Sequence, residues 1–565
     1  MSAQEKQTAG VHYIMKHLKR NIFLAIAALV IAAVYYYVTL PAINIHSADF
    51  WFFLMAVIAV CMVIYAVKKA GKEVVFRETG RFGGFHLDLG SFHWKDYKGI
   101  KLLAVLLVGV FAVFLVGSIL SSPIVNAKKY QQLLTIEERN FTDDIKEVDY
   151  NTIPLLDKDS AALLGNRKMG SLVDMVSQFE VSGDYTQINY QGKPVRVTPL
   201  RYASPIKWLT NRKQGLPAYM LIDMATQDTE CVKLSEGIKY SKSEYFNRYI
   251  YRHLRFRYPT YIFDDQIFFE IDEEGTPYWV CPVKKFNIGL FGGQTIGNVV
   301  LCNAVTGECI DYKVEDVPQW IDKVYSAELL TRLYDYSGIL KHGYFNSILG
   351  QKDCLQTTNG YNYIALDDDV WVYSGVTSVS GDQSNVGFVL MNQRTMETRF
   401  YKVEGATEDS AMSSAEGQVQ NLRYVSTFPL LLNIADEPTY FMALKDSAGL
   451  VKKYAMVNVQ KYQWVAIGDT IQECEKSYNR LLNTNGIVGQ NAEDEKSITG
   501  KITAIAPVVI DGNTHYYVCL ENSEDIYDVS MADEYLIGII RYQVGDIISI
   551  KYHEGYGLQT VTNIK

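Results

Sequence analysis

Cys302 and Cys309 are the residues of this chain whose type and spacing come nearest to chemistry. A four-residue turn at Ala304-Val-Thr-Gly307 sets them opposite each other across a hairpin, at a separation a disulfide tolerates. Two small buried thiols are the alternative. The chain has eight cysteines and no CxxC pair. With Cys61 inside an apolar run the remainder is odd in number, so disulfides are not a general framework. Ser204-Pro-Ile-Lys207 has the SxxK spacing of a serine nucleophile and its lysine, but no KTG accompanies it, and Ser204 precedes a proline in an expected loop. Asp272-Glu-Glu274 and Asp367-Asp-Asp369 offer carboxylate oxygens without the spacing of a calcium loop, so they read as solvated turns. His253, His342, His515 and His553 are scattered, and HExxH, GxSxG and P-loop patterns are absent. The sequence thus points to no catalytic residue, no cofactor and no metal.

A second kind of chemistry is recognition. The chain has 40 tyrosines, many beside arginine or aspartate. They concentrate in Tyr249-Ile-Tyr-Arg-His-Leu-Arg-Phe-Arg-Tyr258. Tyrosine and arginine give large contact areas with polar tips, which makes Tyr249, Tyr251, Arg252, Arg255, Arg257 and Tyr258 candidate partner-binding residues. Tyrosine is equally an ordinary strand residue.

The elements that must position these residues begin with a membrane anchor. Residues 22–40, 50–67 and 102–120 are apolar, uncharged and of bilayer-spanning length, so three transmembrane helices are expected. Tyr35-Tyr36-Tyr37 and Trp51 suit the interface. Lys16, Lys19 and Arg20 precede the first span, and eight basic residues from Lys68 to Lys101 separate the second from the third. The loop between spans one and two has neither lysine nor arginine, so the N-terminus is expected to be cytoplasmic and everything after about residue 120 extracytoplasmic. His86 and His93, seven apart in the cytoplasmic loop, make a poor metal site. The net charge of −9 argues against nucleic acid.

Residues 121–156 read as a stalk, helical around Ala127–Glu138. Four repeat units are expected after it, at 157–260, 261–340, 341–425 and 426–483. Gly192-Lys-Pro194-Val-Arg-Val197-Thr-Pro199 and Gly275-Thr-Pro277-Tyr-Trp-Val280-Cys-Pro282 share G-x-P-x-x-V-x-P. An apolar strand ending in Asp223, Asn303, Asn392 or Asn458 then enters a turn, which that short side chain caps through backbone amides. Helices are expected at Asp157–Gln178, Ser243–Phe256, Pro318–Tyr334, Asp409–Leu422 and Thr470–Leu482. The fold class is therefore α+β: three membrane helices, about four units of antiparallel sheet plus helix, and a last small barrel.

The hairpin Val-Leu-Cys-Asn303-Ala-Val-Thr-Gly-Glu308 is similar to the end of a PepSY domain, whose hairpin runs V-x-[V/I]-[D/N]-x-x-T-G-E. The likeness is good in the second unit, moderate in the first and third, and weak in the fourth, where Lys461-Tyr462 replaces Thr-Gly. It implies extracytoplasmic, non-catalytic modules linked to peptidase regulation, and transfers no site residue. The whole chain resembles membrane-anchored Firmicutes proteins of unknown function. After a linker at 484–496, five short alternating strands in 497–565 suggest a barrel most like an OB-fold.

The expected function is that of a non-catalytic, membrane-anchored cell-envelope protein that binds a protein partner, regulating a peptidase or scaffolding a membrane complex. A homo-oligomer is compatible with this. The alternative is a small-ligand sensor or enzyme with a site between repeat units.

Overall fold

In the computed structural model the described residues are 25–70, 98–146, 153–154, 156–366, 368–379, 384–485, 496–510, 513–531, 534–553 and 558–565. Helix α1 is Ala25–Thr39, α2 is Ala48–Ala70 and α3 is Lys98–Leu120. Two of them, α3 and the Ala48–Ala66 part of α2, are long and apolar enough to cross a membrane. Over its described length α1 is shorter than that, and residues 22–24 of the first expected span lie outside the described residues. Outside them too are Lys16, Lys19, Arg20, His86 and His93. By contact, the chain divides into two units, Met1–Leu432 with Pro438–Val465, and Asn433–Glu437 with Ala466–Lys565.

In the first unit residues 121–146, part of the stretch expected to be a stalk, are woven into the fold. Helix α4 (Pro123–Gln131) ends early, and Glu137–Arg139 becomes a strand paired in parallel with Arg399-Phe400-Tyr401. Helix α5 (Phe141–Asp144) follows, and Asp144 accepts a hydrogen bond from Tyr401 at 2.8 Å. Edge pairing gives the strand's backbone groups partners that an isolated spacer leaves to water.

Four antiparallel meanders follow one another, each with its own sheet. The first uses Lys193–Tyr202, Leu216–Asp223 and Thr229–Ile238, the second Pro277–Ile288, Gly292–Asn303 and Cys309–Lys313. The third uses Asp369–Ser378, Gly387–Asn392 and Thr398–Tyr401, and the fourth Glu437–Lys445 and Val451–Asn458. The turn after the penultimate strand is built alike each time. Asp223 Oδ1 accepts from the amides of Ala225 and Thr226, and Asn303 Oδ1 from Val305 and Thr306, at 2.8–2.9 Å. Asn392 serves Arg394 and Thr395, and Asn458 serves Gln460 and Lys461. Gln227, Gly307 and Met396 then take positive φ values of 66°, 75° and 67°. Asn303→Ala is expected to cost about 1 kcal/mol, because two turn amides lose their acceptor while the sheet remains. Denaturant midpoints with unchanged slope check this, and a loss below about 0.3 kcal/mol contradicts it.

The second sheet is covered on both faces, which is why Tyr278-Trp-Val-Cys-Pro-Val283 reads as an unbroken apolar run. Trp279, Cys281 and Cys302 face the first sheet, whereas Val280, Val299 and Leu301 face the helix Ala327–Ile339 and the third sheet. The helices are α6 (Lys158–Gly170), α7 (Pro205–Asn211), α8 (Ile250–Arg257), α9 (Ala327–Ile339), α10 (Glu408–Gln418) and, in the second unit, α11 (Ile471–Thr484). Several expected starts move. Pro318 lies before α9, whose N-cap is Ser326, because the Asp322 and Lys323 amides are held by the Glu270 carboxylate instead of entering a helix. Helix α8 begins at Ile250 because Phe246 sits at φ +52°. Helix α6 starts on the cap of Asp157, which accepts from the Ser160 amide, and stops at Gly170.

In the second unit, five strands close a barrel: Lys496–Ile510, Asn513–Leu520, Ile526–Ser530, Ile547–His553 and Leu558–Ile564. The first pairs with the second and fourth, and the third with the fifth in parallel. A 3-10 helix, Glu534–Arg541, connects the third to the fourth and sends Leu536 and Ile539 into a core with Val518, Tyr527 and Ile550.

Candidate functional site

Helix α8 carries the tyrosine and arginine cluster, and its 3.6-residue period sorts those side chains onto separate faces. Ile250 and Leu254, four apart, are buried between the first and second sheets and fix its rotation.

One face grips the end of α1. Arg255, nearly buried, donates from Nε to the Leu40 carbonyl at 2.9 Å and from Nη1 to the carbonyls of Tyr258, Pro259 and Tyr261. Arg252 lies over the Tyr37 ring, 4.1 Å from its centroid, and donates to the Tyr37 and Phe246 carbonyls. Phe256 packs on Tyr36 and Tyr37. The α1–α2 loop adds a bond from the Ile43 amide to Pro259 and one from Asn44 Nδ2 to Thr260. A second grip lies at the tip of the long hairpin. Ser121, closing α3, accepts from the Leu290 and Phe291 amides at 2.8 and 3.1 Å. Phe291 meets Phe114 and Trp51, and His46 bonds the Leu290 carbonyl. At Gly292 a Cβ would stand 2.1 Å from the Ser121 carbonyl oxygen, so only glycine permits this approach. The end of α1, the start of α2 and the end of α3 therefore all meet the sheet-bearing part of this unit.

Beside α8 a cleft of about 670 Å³ opens between the first and second meanders, walled by Tyr202, Ser204, Lys242, Tyr249, Arg252 and Trp279. At its floor the Glu244 carboxylate accepts from Tyr202 Oη at 2.6 Å and Trp208 Nε1 at 2.7 Å. Burial raises the Glu244 pKa above the usual carboxylate range, against the lowering effect of those two donors. Burial and the adjacent carboxylate raise Tyr202 as well. Lys242 pairs with Asp184 at 2.7 Å and lies over the Trp279 ring. Tyr245 and Phe246, which also line it, leave apolar surface exposed. Such walls suit recognition: a desolvated acceptor, aromatic planes and cationic edges.

The remaining face of α8 meets the turn at Asn303. His253 Nε2–H donates to the Gly307 carbonyl at 2.8 Å and Arg257 Nη1 donates to it at 2.9 Å. Cys302 and Cys309 stand opposite each other in register, both as free thiols, and one donor atom from each of His253, Cys302 and Cys309 lies within 4.8 Å of the others. A hydrogen bond from the Cys302 thiol lowers the Cys309 pKa against the raising effect of burial, and the nearby Arg257 guanidinium adds to the lowering. The same arrangement raises Cys302.

The other sequence candidates have local partners. Ser204 caps α7 through the Lys207 amide, which explains its SxxK spacing. Asp272 accepts from the Glu274 and Thr276 amides. Asp369 takes two bonds of 2.7 Å from Arg394, Asp368 accepts from Asn189, and Asp367 lies outside the described residues. Of the tyrosine and arginine candidates, Arg252 and Tyr249 line the cleft, Arg255 holds the Leu40 carbonyl after α1, and Arg257 reaches the turn. Tyr251 and Tyr258 are partly buried in the core shared by the first two sheets.

Sequence reasoning passed over Glu244, Tyr202 and Trp208, which lie on separate elements and carry no motif. It also passed over a buried acid pair. Glu270 accepts from the Asp322 and Lys323 amides, each at 3.0 Å, and burial pushes it up to about 7. Asp322 accepts from the Asn189 amide at 2.6 Å and is raised by burial and by Glu270. No protein-family model matches the chain, and no curated protein sequence matches it.

Proposed function

We propose that this chain is an integral membrane protein whose repeats lie outside the cytoplasm and act by binding a protein partner, without catalysis, at the cleft beside α8. The observation that carries this reading is the composition of the cleft and rim. Tyr202, Trp208, Tyr245, Phe246, Tyr249 and Arg252 are the residue types in which binding energy concentrates, and Arg252 also touches Tyr37 at the end of α1. Occupation of the cleft is thereby linked to the membrane helix.

Three spans with a cytoplasmic N-terminus are supported by the basic residues before and between the apolar runs, and by the convergence of three helix ends on the repeats. The recurring Asp or Asn turn supports a PepSY-like reading of the units, and with it a peptidase or a membrane complex as the class of partner. The barrel's strand order, with parallel pairing of third and fifth strands and a helix before the fourth, supports an OB-like reading. Glu244 favours a second reading, a small ligand seated on its carboxylate between the units.

Photoreactive side chains placed at Phe246 and, as a control, at the exposed Val173 test the proposal in living cells. Phe246 is expected to give a discrete protein adduct that weakens with Trp208→Ala, and Val173 none. Absence of any adduct from Phe246 contradicts partner binding here and leaves the small-ligand reading; an adduct of twice the chain mass identifies the partner as a second copy.

A further inference from the structure

We propose that His253, Cys302 and Cys309 bind a soft d10 metal ion, Zn2+ or Cu+, at the corner where α8 meets the long hairpin. The three donors come from three elements: α8, the strand Gly292–Asn303 and the strand Cys309–Lys313. The hairpin brings the sulfurs together. The Asn303 amide bonds the Glu308 carbonyl at 2.8 Å, so the neighbouring pair Cys302 and Cys309 is a non-hydrogen-bonded one, in which opposing side chains lie closest. A disulfide needs no more than this. A converging imidazole is what a metal site adds.

His253 is held for that role. Its ring packs 4.4 Å from the Tyr240 centroid, and its Nε2–H is given to the Gly307 carbonyl. That bond fixes the tautomer and leaves Nδ1 with its lone pair, as is usual where the second imidazole nitrogen binds a metal. Gly307 is required here, because a Cβ would stand 2.3 Å from the Tyr240 ring. Metal–sulfur bonds of about 2.3 Å and metal–nitrogen bonds of about 2.0 Å bring donors to within about 4 Å of each other, a small closure from the spacing observed. Cys302 is fully buried, whereas Cys309 and His253 are half-buried and give the ion a way in. Two thiolates neutralise a divalent ion, and its binding releases the protons that the two thiols carry. Two thiolates and one imidazole are soft donors, which select these ions over calcium or magnesium.

The full-length chain in detergent, reduced and stripped of metal without oxygen, is titrated with Co2+ as a spectroscopic stand-in for Zn2+, and separately with Cu+ against a chromophoric chelator. One equivalent of Co2+ is expected to raise a thiolate-to-cobalt charge-transfer band that Zn2+ displaces; if only Cu+ binds stoichiometrically, the ion is Cu+. Cys309→Ser and Cys302→Ser each abolish binding, His253→Ala weakens it about tenfold or more, and Cys519→Ser, on a barrel strand, changes nothing. Should Cys302→Ser fail to fold, Cys309→Ser at the half-buried position decides. Binding of neither ion by the reduced chain, or binding that survives Cys309→Ser, overturns the proposal. So does an isolated chain that holds a Cys302–Cys309 disulfide and reforms it in the presence of both ions.

Discussion

Arg255→Ala is expected to destabilise the first unit by about 3 kcal/mol and to release α1 from α8. The guanidinium supplies donors to the carbonyls of Leu40, Tyr258, Pro259 and Tyr261, in a place where little water can replace it. Truncation leaves those acceptors unmatched and opens a void beside Phe263. Arg255→Lys should recover part of the loss, since an ammonium reaches fewer of these oxygens. Unfolding in detergent, followed by tryptophan fluorescence, measures the effect, and proteolysis at the loop 40–47 reports the release. A loss below about 1 kcal/mol with unchanged proteolysis would mean the grip is carried elsewhere.

The second large effect is a fall in stability as pH rises. Glu270 is fully buried, its pKa is pushed from the ordinary carboxylate value up to about 7, and Asp322 beside it is raised too. The folded chain therefore keeps a proton that the unfolded chain gives up. Stability from Glu270 is fully present below about pH 4.5 and is lost as pH rises through about 7, a decline of roughly 3 kcal/mol. Lys323, over the Tyr363 ring at 4.0 Å, and the Asp369–Arg394 pair surround this acid pair. Asp322→Asn keeps an acceptor for the Asn189 amide and removes the like charge, so it should flatten the slope. Denaturant melts at pH 5, 6, 7 and 8 test this. Stability that rises across that window contradicts it.

The parts of this fold that were legible in the sequence are the local ones. The Asp and Asn turns repeat because each needs only its own next few amides, so a short pattern marks them. The barrel strands alternate because each has one face in a single core. The α9 boundary was not legible, since it depends on Glu270 claiming the amides of Asp322 and Lys323 from 52 and 53 residues away. The same holds for α8. Its tyrosines and arginines read as a surface for a partner, yet Arg252 and Arg255 contact Tyr37 and Leu40, 215 residues earlier. The cleft assembles Tyr202 and Glu244, 42 residues apart, with no periodicity to join them. Cys302 and Cys309 were found because a hairpin makes them neighbours; His253, from another element, was not joined to them.

The account depends on the repeats lying outside the cytoplasm, held against the outer ends of the membrane helices. Val173→Cys places a thiol at a residue 85% exposed on the first repeat. Intact cells are treated with a membrane-impermeant maleimide, and the peptide containing position 173 is read by mass spectrometry against the unaltered chain. The account predicts full modification in intact cells, with no gain on permeabilisation. Modification that appears only after permeabilisation would place the repeats in the cytoplasm and contradict it.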